Sequence, residues 1–201
     1  IIMRGIDVSE NNGLVDWGTV AANGYQFGII RVGYGRNTLD SCFYDNINGA
    51  INAGLKVGVY HYSYALDEDA ANQEADFVLN TLQSSGLTPD KLPLGVWYDM
   101  EDADDYKANR GMPSNQELTN FCSIFINKLW RAGYAKTGLY ANIDWLENYL
   151  YPEQLGGCGL WVAHLNPYCG YPGANIWQYT FSENIEGNEF DADIVLDFDV
   201  D

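Results

Sequence analysis

Basic residues are scarce in this chain of 201 residues, which has ten lysines and arginines against 28 aspartates and glutamates and a formal net charge of −18. Nucleic acids and anionic membrane surfaces are bound by clusters of Lys and Arg, so we expect neither as a partner. The sequence also lacks an apolar run of the roughly 18–20 residues that a membrane span requires. The opening IIMRGIDVSE turns polar too early for a signal peptide, so export would use another route or a leader outside this chain.

Histidine and cysteine are also few. Two histidines, and four cysteines without a CxxC motif, argue against a zinc site and against a metal-dependent polysaccharide deacetylase. We interpret His61 as a buried core residue in preference to a catalytic base, and His164 likewise. Cys158 and Cys169 flank one predicted strand and could be bridged. Four free, buried thiols are the alternative that we prefer.

Short apolar runs of strand length recur through the chain, each opened by a glycine. The early runs alternate with helical stretches, of which residues 67–85 begin at a plausible N-cap, Asp67, and residues 114–132 begin with a capping box of Ser114 and Glu117. The other helical stretches are residues 16–23, 43–53 and 144–150. The opening glycines are Gly5, Gly28, Gly58, Gly95, Gly138 and Gly159.

After residue 159 the pattern changes, because turns rather than helices connect the strand-like segments. The order is therefore five strand–helix units followed by three strands. Alternating strands and helices favour a parallel sheet, and eight strands in about 200 residues favour a barrel. We expect a single domain over residues 1–201, of the α/β class, built as an irregular TIM-like (β/α)5(β)3 barrel.

Residues 96–101, VWYDME, carry the most suggestive chemistry, because an apolar strand runs into Asp99 and Glu101. Side chains two positions apart share a face of a strand, so the two carboxyls should point the same way. A close carboxyl pair with apolar neighbours can keep one group ionised and the other protonated. Glycosidic bond cleavage uses such a pair. A solvated turn after a buried strand is the alternative interpretation.

Polar and aromatic residues fall mainly at even positions counted from each opening glycine, whereas odd positions are mostly aliphatic, with Arg31, His61 and Tyr98 as exceptions. If even positions face the interior, carboxylates and aromatic rings line the mouth at the carboxyl ends of the strands. Barrel enzymes place their catalytic groups at that end. The even positions hold Asp7, Tyr60, Tyr62, Trp97, Asp99, Glu101, Tyr140, Asn142 and Trp161.

Asp7 lies inside the first predicted strand, where a buried charge is costly unless it is paired or used. Capping of the following loop is its structural alternative. Near the end of the chain, FDADIV places Asp191 and Asp193 in the last predicted strand. Barrel closure would put this strand beside the first one, so we expect one of the two aspartates to lie close to Asp7.

Together these motifs resemble the glycoside hydrolase family 25 muramidases, which are lysozymes. The resemblance runs through the whole chain in order, in GIDVS with a following Trp17, YHY at 60–62, DME at 99–101, LWVA at 160–163 and WQYT at 177–180. It implies the barrel described above and cleavage of the β-1,4 bond between N-acetylmuramic acid and N-acetylglucosamine in peptidoglycan.

The resemblance also implies roles for single residues. Glu101 corresponds to the proton donor, Asp99 to the group that positions the substrate's N-acetyl group, and Asp7 to the first-strand aspartate. The late aspartate is assigned to Asp191, with Asp193 as the alternative, because the local spacing is one residue longer than the family pattern. Substrate contacts are expected from Tyr62, Trp161, Tyr140 and Asn142, whereas Gln178 and Tyr179 are carried over as structural only.

The expected mechanism divides the work between the two carboxyls. Glu101 should have a raised pKa and protonate the leaving oxygen, while Asp99 stays ionised and orients the 2-acetamido group for internal attack with net retention. Inversion, with an aspartate activating water, is the rival. No metal or organic cofactor is needed.

The expected partner is the glycan strand of peptidoglycan. We expect a monomer that acts outside the cell or at the bacterial cell wall, with a fused wall-binding module beyond residue 201 as an option. Phage endolysin, bacterial autolysin and secreted toxin all remain open. A non-catalytic protein that binds cell-wall glycan on the same barrel is the alternative function.

Overall fold

Eight strands close into a barrel in the computed structural model, which describes residues 2–201. The last barrel strand pairs antiparallel with both of its neighbours, one of which is the first strand of the chain, and so closes the barrel. All other neighbouring strands of the barrel pair in parallel. A further strand of two residues, third in chain order, pairs antiparallel with the end of the second. The strands are β1 (Arg4–Val8), β2 (Phe27–Tyr34), β3 (Thr38–Leu39), β4 (Lys56–Tyr62), β5 (Val96–Asp99), β6 (Thr137–Asn142), β7 (Gly159–Ala163), β8 (Ile176–Ile185) and β9 (Asn188–Val195).

Five helices follow the first five strands of the barrel, so the predicted (β/α)5(β)3 order is confirmed. Local capping sets their starts. The Asp67 carboxylate accepts a hydrogen bond from the Ala70 N–H at 2.8 Å, and Ser114 and Glu117 form the reciprocal capping box. The helices are α1 (Trp17–Ala22), α2 (Phe43–Asn52), α3 (Glu68–Ser84), α4 (Asn115–Arg131) and α5 (Ile143–Asn148).

The lower barrel interior is filled by Trp97, which is fully buried. Glycines leave the room that this indole needs, since a Cβ atom added at Gly159 would lie 2.8 Å from the Trp97 ring. Gly58 instead allows close approach of the neighbouring chain, since a Cβ there would lie 2.7 Å from the Leu94 backbone. This aromatic plug closes the amino-terminal end, so an open cavity can form only at the carboxyl ends of the strands.

The even-position rule is wrong for β2. Phe27 and Ile29 belong to the cluster inside the barrel, whereas Gly28 faces outward, where an added Cβ would lie 2.9 Å from the Trp17 ring of α1. The opening glycine of β2 therefore makes room for a helix rather than for the interior. As a result Arg31, which is at an odd position counted from Gly28, also points inward.

All four cysteines are unpaired, and Cys158 is not bridged to Cys169. The expectation of four buried thiols is right for Cys122 only. Cys42, Cys158 and Cys169 are half-buried because they lie at the start of a helix, before a strand and in a loop. Within residues 2–201, none of the helices combines the length and the apolar character needed to cross a membrane.

Candidate active site

A cavity of about 360 Å³ opens at the carboxyl ends of the barrel strands. Seven of the eight residues predicted for the site line it, and Asn142 does not. The lining residues are Asp7, Val8, Ser9, Asn11, Asn12, Arg31, Tyr60, Tyr62, Asp99, Glu101, Ala103, Tyr140, Trp161, Gln178 and Asp191.

Asp99 and Glu101 lie at the end of β5 with their carboxyls in hydrogen-bond contact. Asp99 is 4% exposed, whereas Glu101 is half-buried. Burial, followed by the adjacent carboxyl of Glu101, raises the pKa of Asp99 well above its ordinary value. Asp99 was expected to stay ionised, whereas the direction of this shift favours its protonated form in the free protein.

A second group of acids, which we call the carboxyl cluster, consists of Asp7, Asp191 and Asp193. The register of β1 on β9 pairs Asp7 with Asp191 directly, and the Asp7 carboxyl contacts those of both other members. Both late aspartates thus approach Asp7, where one was predicted. Asp191 lines the cavity, whereas Asp193 is fully buried behind it.

The three acids of the carboxyl cluster all have elevated pKa values. Burial and then the charge of Asp193 raise the pKa of Asp7 well above its ordinary value. Burial and then Asp7 raise the pKa of Asp191 to about 8. Burial raises the pKa of Asp193 to about 7, although the Trp161 indole N–H donates to its Oδ1 at 2.8 Å. The cluster therefore retains protons at neutral pH.

Gln178 links the carboxyl cluster to the aromatic wall. Its amide Nε2 donates to Asp7 Oδ2 at 2.8 Å and to Asp191 Oδ2 at 3.4 Å, while its Oε1 accepts from the Tyr140 hydroxyl at 2.5 Å. Gln178 was expected to be structural only, yet it lines the cavity. Tyr179, its neighbour, donates to Glu183 at 2.7 Å and lies outside the site.

The aromatic residues form a floor and one wall. Trp161 is 1% exposed and packs edge-on against Tyr60 and Tyr140, with ring centroids 5.8 and 4.5 Å away. It therefore lacks the open face that a stacking platform for a sugar would need. Tyr62 is half-buried, and its hydroxyl accepts from the Ala103 N–H at 3.0 Å. Tyr62 retains part of its surface in the cavity.

Asn142 serves mainly as a helix cap. Its Oδ1 accepts from the Trp145 N–H at 2.9 Å at the start of α5. It lines a neighbouring depression that also contains Glu101, Asp144 and Phe181. Glu101 thus lies between this depression and the acid-lined cavity, and an extended ligand could occupy both sides.

Arg31 is the one basic residue among the described residues that line the cavity, and it was not among the predicted site residues. Asp40 holds it through an Nε–Oδ2 contact of 2.8 Å. His61 lies outside the cavity and is fully buried, with Nε2 2.7 Å from the Gly35 carbonyl. Burial lowers the pKa of His61 to about 4, so it is a neutral core residue, as predicted.

The chemistry available here is proton transfer between carboxyls and a bound ligand. No group of three or more His, Cys, Asp or Glu side chains in residues 2–201 has the arrangement to hold a metal ion. The site instead offers the Asp99–Glu101 pair at one side and the carboxyl cluster at the other, with the amide of Gln178 between the cluster and the aromatic wall.

Comparison with known proteins places this chain in a family. A family model described as glycosyl hydrolases family 25 matches residues 6–188. An autolytic lysozyme from Clostridium acetobutylicum is 33% identical over 151 residues, which cover 66% of this chain and 45% of that protein. Lysozyme M1 from Streptomyces globisporus is 25% identical over 202 residues, covering 95% of this chain and 66% of that protein.

Among solved structures, the modular autolysin LytC from Streptococcus pneumoniae superposes with a TM-score of 0.84 at 24% identity. The match covers 97% of this chain and 47% of LytC, and it shows a common fold. The chain thus spans about half the length of the clostridial lysozyme and of LytC.

Proposed function

Because the chain belongs to glycosyl hydrolase family 25, we propose that residues 1–201 form a muramidase domain. In this proposal it cleaves the β-1,4 bond between N-acetylmuramic acid and N-acetylglucosamine of peptidoglycan. The observation that carries the proposal is the Asp99–Glu101 carboxyl pair at the mouth of a cavity that the carboxyl cluster lines on its other side. Glycoside hydrolysis needs one proton donated and one positive charge stabilised, and a carboxyl pair that shares a proton can supply the acid and, once that proton has moved, the anion.

Glu101 is the group that protonates the leaving oxygen. It is the more exposed member of the pair and lies between the cavity and the neighbouring depression, so it can reach a bond that spans both. The proton that Asp99 retains moves across their hydrogen bond to Glu101 as the sugar binds. Asp99 then becomes the anion that accepts the acetamido N–H and orients its oxygen toward the anomeric carbon.

Asp7 and Asp191 face the opposite side of the sugar ring, with Gln178 holding both carboxyls. We assign Asp191 rather than Asp193 to substrate contact, because Asp193 is fully buried behind the cavity. Tyr62 and Tyr140 contribute the apolar wall, and Trp161 supports it from below. Internal attack by the acetamido oxygen gives a β-anomeric first product, whereas an inverting reaction gives the α-anomer.

The partner in this proposal is the glycan strand, met by a monomer outside the cell, at the bacterial cell wall. The clostridial relative is named an autolytic lysozyme and LytC a modular autolysin, which supports action on a wall and the presence of further modules in proteins of this kind.

Mass spectrometry of fragments released from purified, O-deacetylated peptidoglycan tests the proposal. We expect disaccharide-peptides with N-acetylmuramic acid at the reducing end. Fragments with N-acetylglucosamine at the reducing end would show that the protein is a glycosidase that cleaves the other glycosidic bond of the glycan strand. Absence of fragments from several wall types would overturn catalysis and favour a protein that only binds wall glycan.

Salt should not inhibit hydrolysis of intact walls when it is raised from a low concentration. A domain with a formal net charge of −18 is repelled by an anionic wall, and the Debye length falls from ~30 Å at 0.01 M salt to ~8 Å at 0.15 M. We expect the initial rate to stay constant or to rise by roughly twofold over this range, measured by turbidity. A steady fall from the lowest salt concentration would show that electrostatic attraction contributes to wall binding.

A further inference from the structure

Lys107 is a fully buried lysine in the loop that follows Glu101. The loop is acidic, reading EDADDYKANR, so a lysine within it would ordinarily be a solvated counter-charge. Removing an ammonium group from water is costly unless other interactions replace the lost hydration. A buried lysine beside a candidate active site therefore needs an explanation.

Two backbone carbonyls and three aromatic rings replace the water around this ammonium group. Nζ donates to the Glu101 carbonyl oxygen at 2.6 Å and to the Ser63 carbonyl oxygen at 2.7 Å. The rings of Tyr62, Tyr64 and Trp145 have centroids 5.4, 5.8 and 6.0 Å from Nζ. These distances lie within the range of cation–π attraction. The positive charge is thus held in one place.

The loop is closed from its other end as well. The Asp102 carboxylate accepts from the Lys107 N–H at 2.8 Å and from the Ala108 N–H at 2.9 Å. Because Nζ returns to the Glu101 carbonyl, residues 101–107 form a ring of backbone and side-chain contacts. The backbone of Glu101 is therefore fixed by Lys107.

Charged and titratable groups surround Lys107 from every element that packs on it. Burial lowers the pKa of Lys107, whereas carboxylates around it favour the charged form. Ser63 connects Lys107 to Glu74 of α3, because its carbonyl oxygen accepts from Lys107 Nζ and its hydroxyl donates to the Glu74 carboxylate at 2.9 Å. The groups facing Lys107 are Glu101, Asp102 and Asp104 from its own loop, Asp99 from β5, Glu74 from α3, Tyr62 and Tyr64 from β4 and its following residues, and Cys122 from α4.

We propose that Lys107 is a positioning residue for the Asp99–Glu101 pair, an inference that rests on the proposed function. Its ammonium group fixes the Glu101 backbone and keeps a positive charge near the Asp99 carboxyl, which must exchange a proton with Glu101. This charge opposes the effect of burial and Asp7 on Asp99, and so makes the ionised form of the pair accessible. Lys107 does not line the cavity, so it acts through the pair and not on the sugar.

The test compares the pH dependence of kcat for the wild type, Lys107→Met, Lys107→Arg and Lys91→Met on the same purified peptidoglycan. Lys91 is an exposed lysine of residues 89–91, so its replacement controls for loss of one charge. For Lys107→Met we expect at least a tenfold lower kcat at pH 6. We also expect the acidic limb to move up by about one pH unit, because a nearby opposite charge lowers a carboxyl pKa by 1–3 units. Lys107→Arg should restore the limb, and Lys91→Met should match the wild type.

A loss of rate in Lys107→Met with an unmoved acidic limb would overturn the proposal, since a purely structural role predicts that result. NMR on the wild-type protein provides a second measurement that does not depend on the variant folding. We expect the Lys107 Nζ signal to be that of a slowly exchanging ammonium group at pH 7, and a neutral amine there would also overturn the proposal. If the wild type releases no fragments, the proposed function fails, while the Nζ measurement still decides whether the charge exists.

Discussion

Replacing Glu101 with Gln is expected to lower kcat on peptidoglycan by about 10³-fold, within the range for losing a general acid. Gln has the same shape as Glu but carries no transferable proton, so the leaving oxygen would depart unprotonated. Because the backbone of Glu101 is held by Lys107 through its carbonyl oxygen, the substitution should leave the loop in place. Release of reducing-end fragments, quantified by mass spectrometry against time, is the measurement.

Binding and folding separate this result from a general loss of structure. The Glu101→Gln protein should keep its melting temperature within about 2 °C and still bind purified walls in a sedimentation assay. Glu147→Gln, at an exposed position of α5, is the matched control and should retain the wild-type rate. A wild-type rate in Glu101→Gln would show that Glu101 is not the proton donor, and the carboxyl cluster would then be the next candidate for this role.

The fold was predictable because its signals are local. The starts of α3 and α4 are set by side chains that bond to backbone N–H groups within three residues, at Asp67 and Ser114. The even-position rule also holds where the opening glycine faces Trp97, as at Gly159. It fails in β2 because Gly28 makes room for Trp17 on the outside of the barrel, and a contact with a helix cannot be read from strand parity.

The site was predictable only in part, for the same physical reason. Asp99 and Glu101 are two positions apart in the sequence, so their shared face follows from strand geometry. Gln178 acts on Asp7 across a separation of 171 residues, and this contact exists only after the barrel closes. Lys107 is informative only because it is buried, which its acidic surroundings in the sequence do not suggest. Such contacts depend on register and loop closure rather than on composition.

Folding stability should fall as pH rises through the range in which the carboxyl cluster loses its protons. An unfolded aspartate has a pKa of ~3.9, whereas the folded pKa is about 7 for Asp193 and about 8 for Asp191. Between these values the folded chain binds protons that the unfolded chain has released. The free energy of unfolding therefore falls by about 1.4 kcal/mol per pH unit for each such proton. This stability is complete below pH ~4 and is lost by pH ~8.

Asp193→Asn should flatten this dependence. Its amide cannot ionise, so one proton disappears from the difference between the folded and unfolded chains, while Oδ1 can still accept from the Trp161 indole. Between pH 5 and 8 the variant should lose about 3 kcal/mol less than the wild type. For a chain of this size, this difference means that the melting temperature of the variant, measured by calorimetry, should fall by roughly 5–10 °C less than that of the wild type between pH 5 and 8. His61, with a folded pKa of about 4, changes stability in the opposite sense below pH ~6.5, but equally in both proteins.

Asp45→Asn removes a carboxyl at an exposed position of α2 and is the control for the charge change itself. It should follow the wild-type curve. Parallel curves for Asp193→Asn and the wild type would mean that Asp193 is already ionised at pH 5 in the folded protein. In that case the protons of the cluster would reside on Asp7 and Asp191 alone. Equal flattening by both variants would instead assign the effect to net charge, because Asp45 is exposed on α2 and is not part of the carboxyl cluster.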